Sequence, residues 1–212
     1  MNISDKIQTI KKELPNNVTL VAVSKTKSEE EILQAYNSGH KIFGENKVQE
    51  LVEKYENLPK DIEWHMIGHL QSNKVKYIAP FVNLIHGTDS EKLLKEINKR
   101  AKQNSRIINC LLQVHIAEES TKFGFSLSEI NDIMQRSSEF ENVNIIGLMG
   151  MASFTDTISQ IEKEFCSLQQ IYKNHTSFTT LSMGMSGDYK SAIQYGSNMI
   201  RLGSIIFGNR NY

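Results

Sequence analysis

Cysteine and proline are scarce in this chain: 212 residues contain two of the first and three of the second. Cys110 lies in an apolar run and Cys166 in a helical pattern, with no CxxC spacing. That rules out a disulfide framework or a thiolate metal motif, and both are expected to be reduced structural thiols. No proline interrupts a proposed strand, and no Pro-, Gly- or Ser-rich tract suggests a linker. Long apolar runs are missing too. None approaches the ~20 residues a membrane-spanning helix requires, so no membrane partner is expected. The first residues, MNISDKIQTIKKEL, lack the apolar centre of a secretory signal, which points to the cytoplasm. Charge of one sign is also lacking: 24 basic residues balance 24 acidic ones. With no basic block, there is no electrostatic case for nucleic acid. The expected partner is a small molecule or a protein.

What is present is alternation. Eight short apolar runs fall at 18–25, 41–46, 63–69, 83–89, 107–116, 144–151, 178–186 and 199–207. Between them, apolar residues recur every three or four positions, as in repeated β-α units. VTLVAV and NIIGLMGM are apolar on both faces, as parallel strands covered by helices should be. Ser28 with Glu31, Thr88 with Glu91, Ser126 with Glu129 and Thr157 with Gln160 fit capping boxes, and Gly39 fits a helix stop. The count predicts an α/β fold, a single-domain (β/α)8 TIM barrel over residues 1–212. The alternative is an open doubly wound sheet. The eighth run ends so late that no final helix is expected. An extra N-terminal helix bearing Ile3, Ile7, Ile10 and Leu14 could fill the vacant outer slot.

In such a barrel, polar residues at the C-terminal strand ends face one mouth. Lys25 closes LVAVSK there. A lysine at the lip of an apolar barrel can supply the free amine that Schiff-base formation needs. The plainer alternative is a solvated loop lysine, with Lys27 beside it as a decoy. Arg201 sits inside the apolar run MIRLGSIIFG, and a charge in that setting needs a partner. Gly203 and Ser204 follow it, and SMGMSGD contributes Ser182, Ser186 and Gly187 to the same side. Together they offer N–H and hydroxyl donors where barrels often bind phosphate, although Gly and Ser also suit any turn. Asn46 ends the second run. His65 and His69, four apart in one predicted strand, would share a face. No third ligand or HExxH pattern accompanies them, so no metal is assigned and packing or hydrogen bonding is the expected role.

Six segments in order, AVSKTK, FGEN, WHMIGHLQSNK, GLM, LSMGMSGDY and IRLGSIIFG, resemble the pyridoxal phosphate homeostasis protein family, also called the YggS/PROSC family. That family is related to the N-terminal barrel of alanine racemase, and the similarity covers nearly the whole chain. It implies a fold-type III pyridoxal 5′-phosphate (PLP) protein in which Lys25, and not Lys27, forms the internal aldimine. By the same matching Arg201 would face the pyridine nitrogen, and Ser186, Gly203 and Ser204 would hold the phosphate. Asn46, Met149, Ser182 and Met185 would line the pocket. Two positions depart from the family pattern: Lys47 stands where Tyr is common, and His115 where Asn is. The chain ends at Tyr212, without the second domain that supplies the opposing acid in alanine racemases. The resemblance therefore implies a non-catalytic monomer that keeps PLP available, with apo PLP-dependent enzymes as candidate recipients. A small amino-acid racemase and a lysine-dependent aldolase are the alternatives.

Overall fold

The computed structural model describes residues 2–117 and 123–208. Eight parallel strands close on themselves in sequence order. They are β1 Thr19–Val23, β2 Ile42–Glu45, β3 Glu63–Met66, β4 Leu84–Thr88, β5 Ile108–Gln113, β6 Val143–Met149, β7 Thr180–Ser182 and β8 Met199–Leu202. Around them run α1 Ile3–Glu13, α2 Glu29–Asn37, α3 Val48–Asn57, α4 Val75–Ile78, α5 Glu91–Gln103, α6 Leu127–Gln135, α7 Ile158–Lys173, α8 Tyr189–Gln194 and α9 Ser204–Phe207. The fold is the expected (β/α)8 barrel. No helix among the described residues is long and apolar enough to cross a membrane.

Strand alternation builds two apolar layers. Val21, Leu84, Leu111, Met149 and Met199 cluster inside the barrel. Leu20, Ala22, Ile85, Leu112, Leu148 and Ile200 face outward, into a larger core shared with the helices. The N-terminal helix joins that outer core. Asn2 caps α1 by accepting the Asp5 N–H at 2.8 Å. Ile7 and Ile10 are buried, and α1 packs on α2 and α9. It occupies the outer slot anticipated for it. Each fully buried isoleucine contributes roughly 1.5–3 kcal/mol.

Several boundaries differ from the sequence expectation. β8 stops at Leu202, and residues 204–207 form one helical turn, with Ile206 and Phe207 buried and Ser204 and Ile205 exposed. Those two apolar residues continue the core from a helix and not from a strand. β7 is short because Gly184, with φ of +95°, turns the chain away; an added Cβ there would lie 2.6 Å from Ala192 Cβ. The boxes at Ser28/Glu31 and Ser126/Glu129 form as expected. The other two do not. Ser90 caps α5, accepting the Leu93 N–H, while Thr88 remains buried in β4. Thr157 precedes α7 without a side-chain cap bond. Gly39 follows α2 at φ of +83°, its N–H donating to the Tyr36 carbonyl at 2.9 Å.

Gly147 is demanded by contact. A Cβ at this position in β6 would lie 1.8 Å from the Thr180 carbonyl oxygen, which belongs to the neighbouring strand and cannot swing aside. Gly147→Ala is expected to destabilise the fold by at least about 2 kcal/mol through overpacking of backbone on backbone. Urea unfolding measures it, and a loss under about 0.5 kcal/mol, the range of neutral surface changes, would show that β6 and β7 separate freely.

Candidate functional site

The C-terminal ends of β1, β6, β7 and β8 carry most of the residues singled out from sequence. Lys25 lies just beyond β1, half-buried, in the turn Ser24–Lys27. Lys27 is committed elsewhere. Its Nζ donates to the Phe207 carbonyl at 3.1 Å and pairs with Glu31 at 3.3 Å, tying the chain to the end of α9. β1 and β8 pair with Val21 opposite Arg201 and Ala22 opposite Leu202. This register brings Gly203 against Val23, where an added Cβ would sit 3.4 Å from both Val23 Cβ and its carbonyl oxygen. The Gly203 N–H donates to Ser186 Oγ at 3.3 Å, and exposed Ser204 opens α9. Ser186, Gly203 and Ser204 therefore gather as neutral donors two residues from Lys25. Hydroxyls and N–H groups at the start of a short helix after β8 suit a phosphate.

Arg201 is 4% exposed. Its Nη1 donates to the Ser182 carbonyl at 3.0 Å and to Ser182 Oγ at 2.6 Å, and its Nη2 donates to the Gly150 carbonyl at 3.2 Å. Burial lowers its pKa to about 10, and Asp188 opposes that shift, so the guanidinium stays charged at neutral pH. Three of the five N–H groups of an arginine are engaged by these bonds, which leaves capacity for a further acceptor.

Beyond Ser182 the chain of bonds crosses the barrel. Ser182 Oγ lies 3.0 Å from His86 Nδ1, and His86 Nε2 lies 3.0 Å from His65 Nδ1. An arginine only donates, so Ser182 Oγ accepts from Arg201 and keeps one proton and one lone pair to offer His86 Nδ1. Neutral His86, one ring nitrogen protonated and the other bare, joins Ser182 to His65. Burial holds both imidazoles neutral: His65 falls to about 3, and His86 lies well below the ordinary range, with His65 and Arg201 adding to the desolvation.

The remaining predicted residues are more dispersed. Met149 ends β6, fully buried in the inner layer. Asn46 follows β2 half-buried, pressed by Gly68, where a Cβ would come within 2.6 Å of the Asn46 carbonyl oxygen. Met185 is 38% exposed, its N–H donating to Asp188 Oδ1 at 2.6 Å. Lys47 and His115 are exposed. His65 and His69 do not share a strand face, because β3 ends at Met66. His65 turns into the barrel, whereas His69 pairs with Asp89 at 2.7 Å and stacks on Phe123 with ring centroids 4.3 Å apart. Among the described residues no His, Cys, Asp or Glu cluster suits a metal ion. Both cysteines are free, and burial pushes the Cys110 thiol up to about 12.

Sequence reasoning missed His86, Glu45, Glu50 and Lys54. His86 gave the same signal as Arg201, a polar residue inside an apolar run, NLIHGTD. Lys54 continues the buried face of α3 set by Val48 and Leu51, at the spacing of three that marks one side of a helix. Nζ of Lys54 meets Glu45 Oε1 at 2.9 Å and Glu50 Oε1 at 2.6 Å, beneath the turn that carries Lys25.

Because the two histidines are neutral when folded, protonation favours the unfolded chain. An unfolded imidazole titrates near 6.5 and folded His65 near 3. The stability they contribute is thus whole above about pH 6.5 and drains as pH falls toward about 3. Urea midpoints should fall through that window, and fall less steeply in His65→Gln, whose amide can keep a bond to His86 without titrating. Equal slopes for the two proteins would contradict a neutral dyad.

The chain matches the family described as "Alanine racemase, N-terminal domain" over residues 1–211. It is 37% identical to the pyridoxal phosphate homeostasis protein of Aquifex aeolicus, covering 93% of this chain and 89% of that one. PipY of Synechococcus elongatus, solved without PLP, superposes with a TM-score of 0.91 at 31% identity, covering 98% of this chain and all of PipY. PipY with PLP bound superposes at 0.89. Alanine racemase of Clostridium difficile shares the fold, with a TM-score of 0.81 at 13% identity; this chain spans 57% of its length. The chain belongs to the alanine racemase N-terminal domain family, in the branch formed by the pyridoxal phosphate homeostasis proteins.

Proposed function

We propose that this protein binds PLP at the C-terminal mouth of the barrel, with Lys25 as the covalent attachment point, and keeps it available to other proteins of the cytoplasm without turning over a substrate. One observation carries the reading: the Lys25 turn and the donor cup of Ser186, Gly203 and Ser204 are joined through the β1–β8 pairing. Those two features suit one small ligand that carries an aldehyde and a phosphate arm on neighbouring atoms of one ring. When bound, PLP supplies that aldehyde carbon and an electron-withdrawing ring.

The chain's own residues then divide the work. Ser186, Gly203 and Ser204 donate to phosphate oxygens, bonds strengthened by the ligand's charge. Arg201 donates to the ring nitrogen. Its pKa of about 10 keeps the proton on the guanidinium and off the ring, which weakens the electron sink that carbanion chemistry draws on. Ser182 acts through Arg201, while Asn46, Met149 and Met185 line the pocket. A weak sink and a reachable lysine favour holding and release over racemisation. The names of relatives at 37% identity and PipY with PLP bound support the same reading. The protein acts as a monomer, and apo PLP-dependent enzymes are its recipients.

Borohydride reduction followed by peptide mapping should label Lys25. Lys25→Ala should lose the visible absorbance of bound PLP, while Lys27→Ala keeps it. A label on Lys27 would overturn the assignment. Mixing PLP-loaded protein with an apo PLP enzyme should restore that enzyme's activity, and incubation with L-alanine should yield little D-alanine. Enzyme-like accumulation of D-alanine, lost in Lys25→Ala, would replace the carrier with a small racemase.

A further inference from the structure

Lys25 sits between two residues whose backbones are fixed from outside the barrel. Glu45, the last residue of β2, faces α3 and is fully buried. Its Oε1 accepts the Ser24 hydroxyl at 2.5 Å and Lys54 Nζ at 2.9 Å. The Lys54 ammonium uses its remaining donors on the Ser24 carbonyl at 2.8 Å and on Glu50 Oε1 at 2.6 Å. Glu50 Oε1 also accepts the Thr26 N–H at 2.5 Å. Ser24 is thus held by its hydroxyl and carbonyl, and Thr26 by its N–H.

The held conformation is a strained one. Thr26 has φ of +64°, a left-handed backbone unfavourable for a β-branched residue. Such strain persists only where the surroundings over-determine it, and it concentrates at functional positions. Here the surroundings are costly in their own right. Three ionisable groups are packed between β2 and α3, and Glu45 Oε2 is buried with no hydrogen-bond partner. Burial raises the Glu45 pKa to about 7 against the pull of Lys54 and Ser24. A hydrophobic filling would serve stability at least as well. What the charged set does that a hydrophobic one cannot is grip the backbone on both sides of residue 25.

We infer that Glu45, Glu50 and Lys54 are positioning residues for Lys25: they clamp the Ser24–Thr26 turn in its strained form and so fix the direction in which the residue-25 amine meets a carbonyl ligand. The inference rests on Lys25 being the attachment point. None of the three touches the ligand, and each acts through the turn.

The test uses the full chain and two probes: PLP, which a lysine can bond through its aldehyde, and pyridoxine 5′-phosphate, which has an alcohol in place of that aldehyde. Glu50→Ala removes the Thr26 N–H acceptor. Glu50→Gln restores it without the charge. Glu50→Ala should slow covalent capture of PLP, read from its visible absorbance, by about tenfold, the worth of one charged hydrogen bond. Affinity for pyridoxine 5′-phosphate should stay within about twofold, and Glu50→Gln should recover most of the capture rate. Should Glu50→Ala not fold, Ser24→Ala, which deletes only the hydroxyl bonded to Glu45, carries the same comparison. Unchanged capture, or an equal loss for both probes, would overturn the inference, the second outcome pointing to a plain structural role. Persistent covalent capture in Lys25→Ala would instead overturn the reading beneath it.

Discussion

A guanidinium enclosed at the end of β8 has no water to solvate it, so the barrel must supply acceptors from its own strands. An unpaired charge in that position costs about 3–5 kcal/mol, a large part of a domain's whole stability. The Gly150 and Ser182 carbonyls meet most of the demand, and both depend on β6 and β7 standing at one fixed separation. Gly147, which admits the Thr180 carbonyl, maintains that separation. Because arginine has no lone pair to offer, it also fixes Ser182 Oγ as its acceptor at the head of a row of bonds that crosses the barrel to His65. One residue that can only donate thus anchors the inner row at one end.

The outer wall solves a different problem with similar means. Inside the barrel the Arg201 guanidinium is bonded to two carbonyls and a hydroxyl, whereas between β2 and α3 a lysine stands between two carboxylates. The inner row fixes a side chain and the outer set fixes a backbone turn. Both converge on the same mouth, from opposite sides of the strand wall that ends in Lys25 and Arg201. The apolar layers contribute stability, and these two polar sets contribute direction.

The barrel was legible because its signals are local and repeated: two-faced apolar runs, helical periodicity and caps such as Ser28 with Glu31. Boundaries were less so. GSIIFG continues the apolar content of β8, and only its burial pattern, two residues out and two in, distinguishes a helical turn from a strand. Thr88 and Ser90 are both good caps, and burial in β4 decided between them. The mouth residues of β1, β7 and β8 were found through interruptions of apolar runs and through family motifs. Lys54, Glu45 and Glu50 escaped because neither β2 nor α3 alone shows the contacts that join them. Their burial exists only once β2 and α3 have met, a relation between segments and not a property of either one. His86 was visible by the same rule that exposed Arg201, but its partner lies 96 residues away in Ser182.

The way the ring closes has a kinetic side. β1 pairs with β8, and α1 packs on α9, so the last contacts to form join the two extremes of the described chain. Parallel pairings over such separations are slow to nucleate, since the intervening chain must be ordered first. As the polypeptide leaves the ribosome, β1 through β7 can associate only as an open sheet with two unpaired edges. In that state Ser182 waits without the Arg201 donor, and Lys27 waits without the Phe207 carbonyl. Ligand-binding geometry would then arrive in one step, with the emergence of β8 and α9, and not accumulate strand by strand.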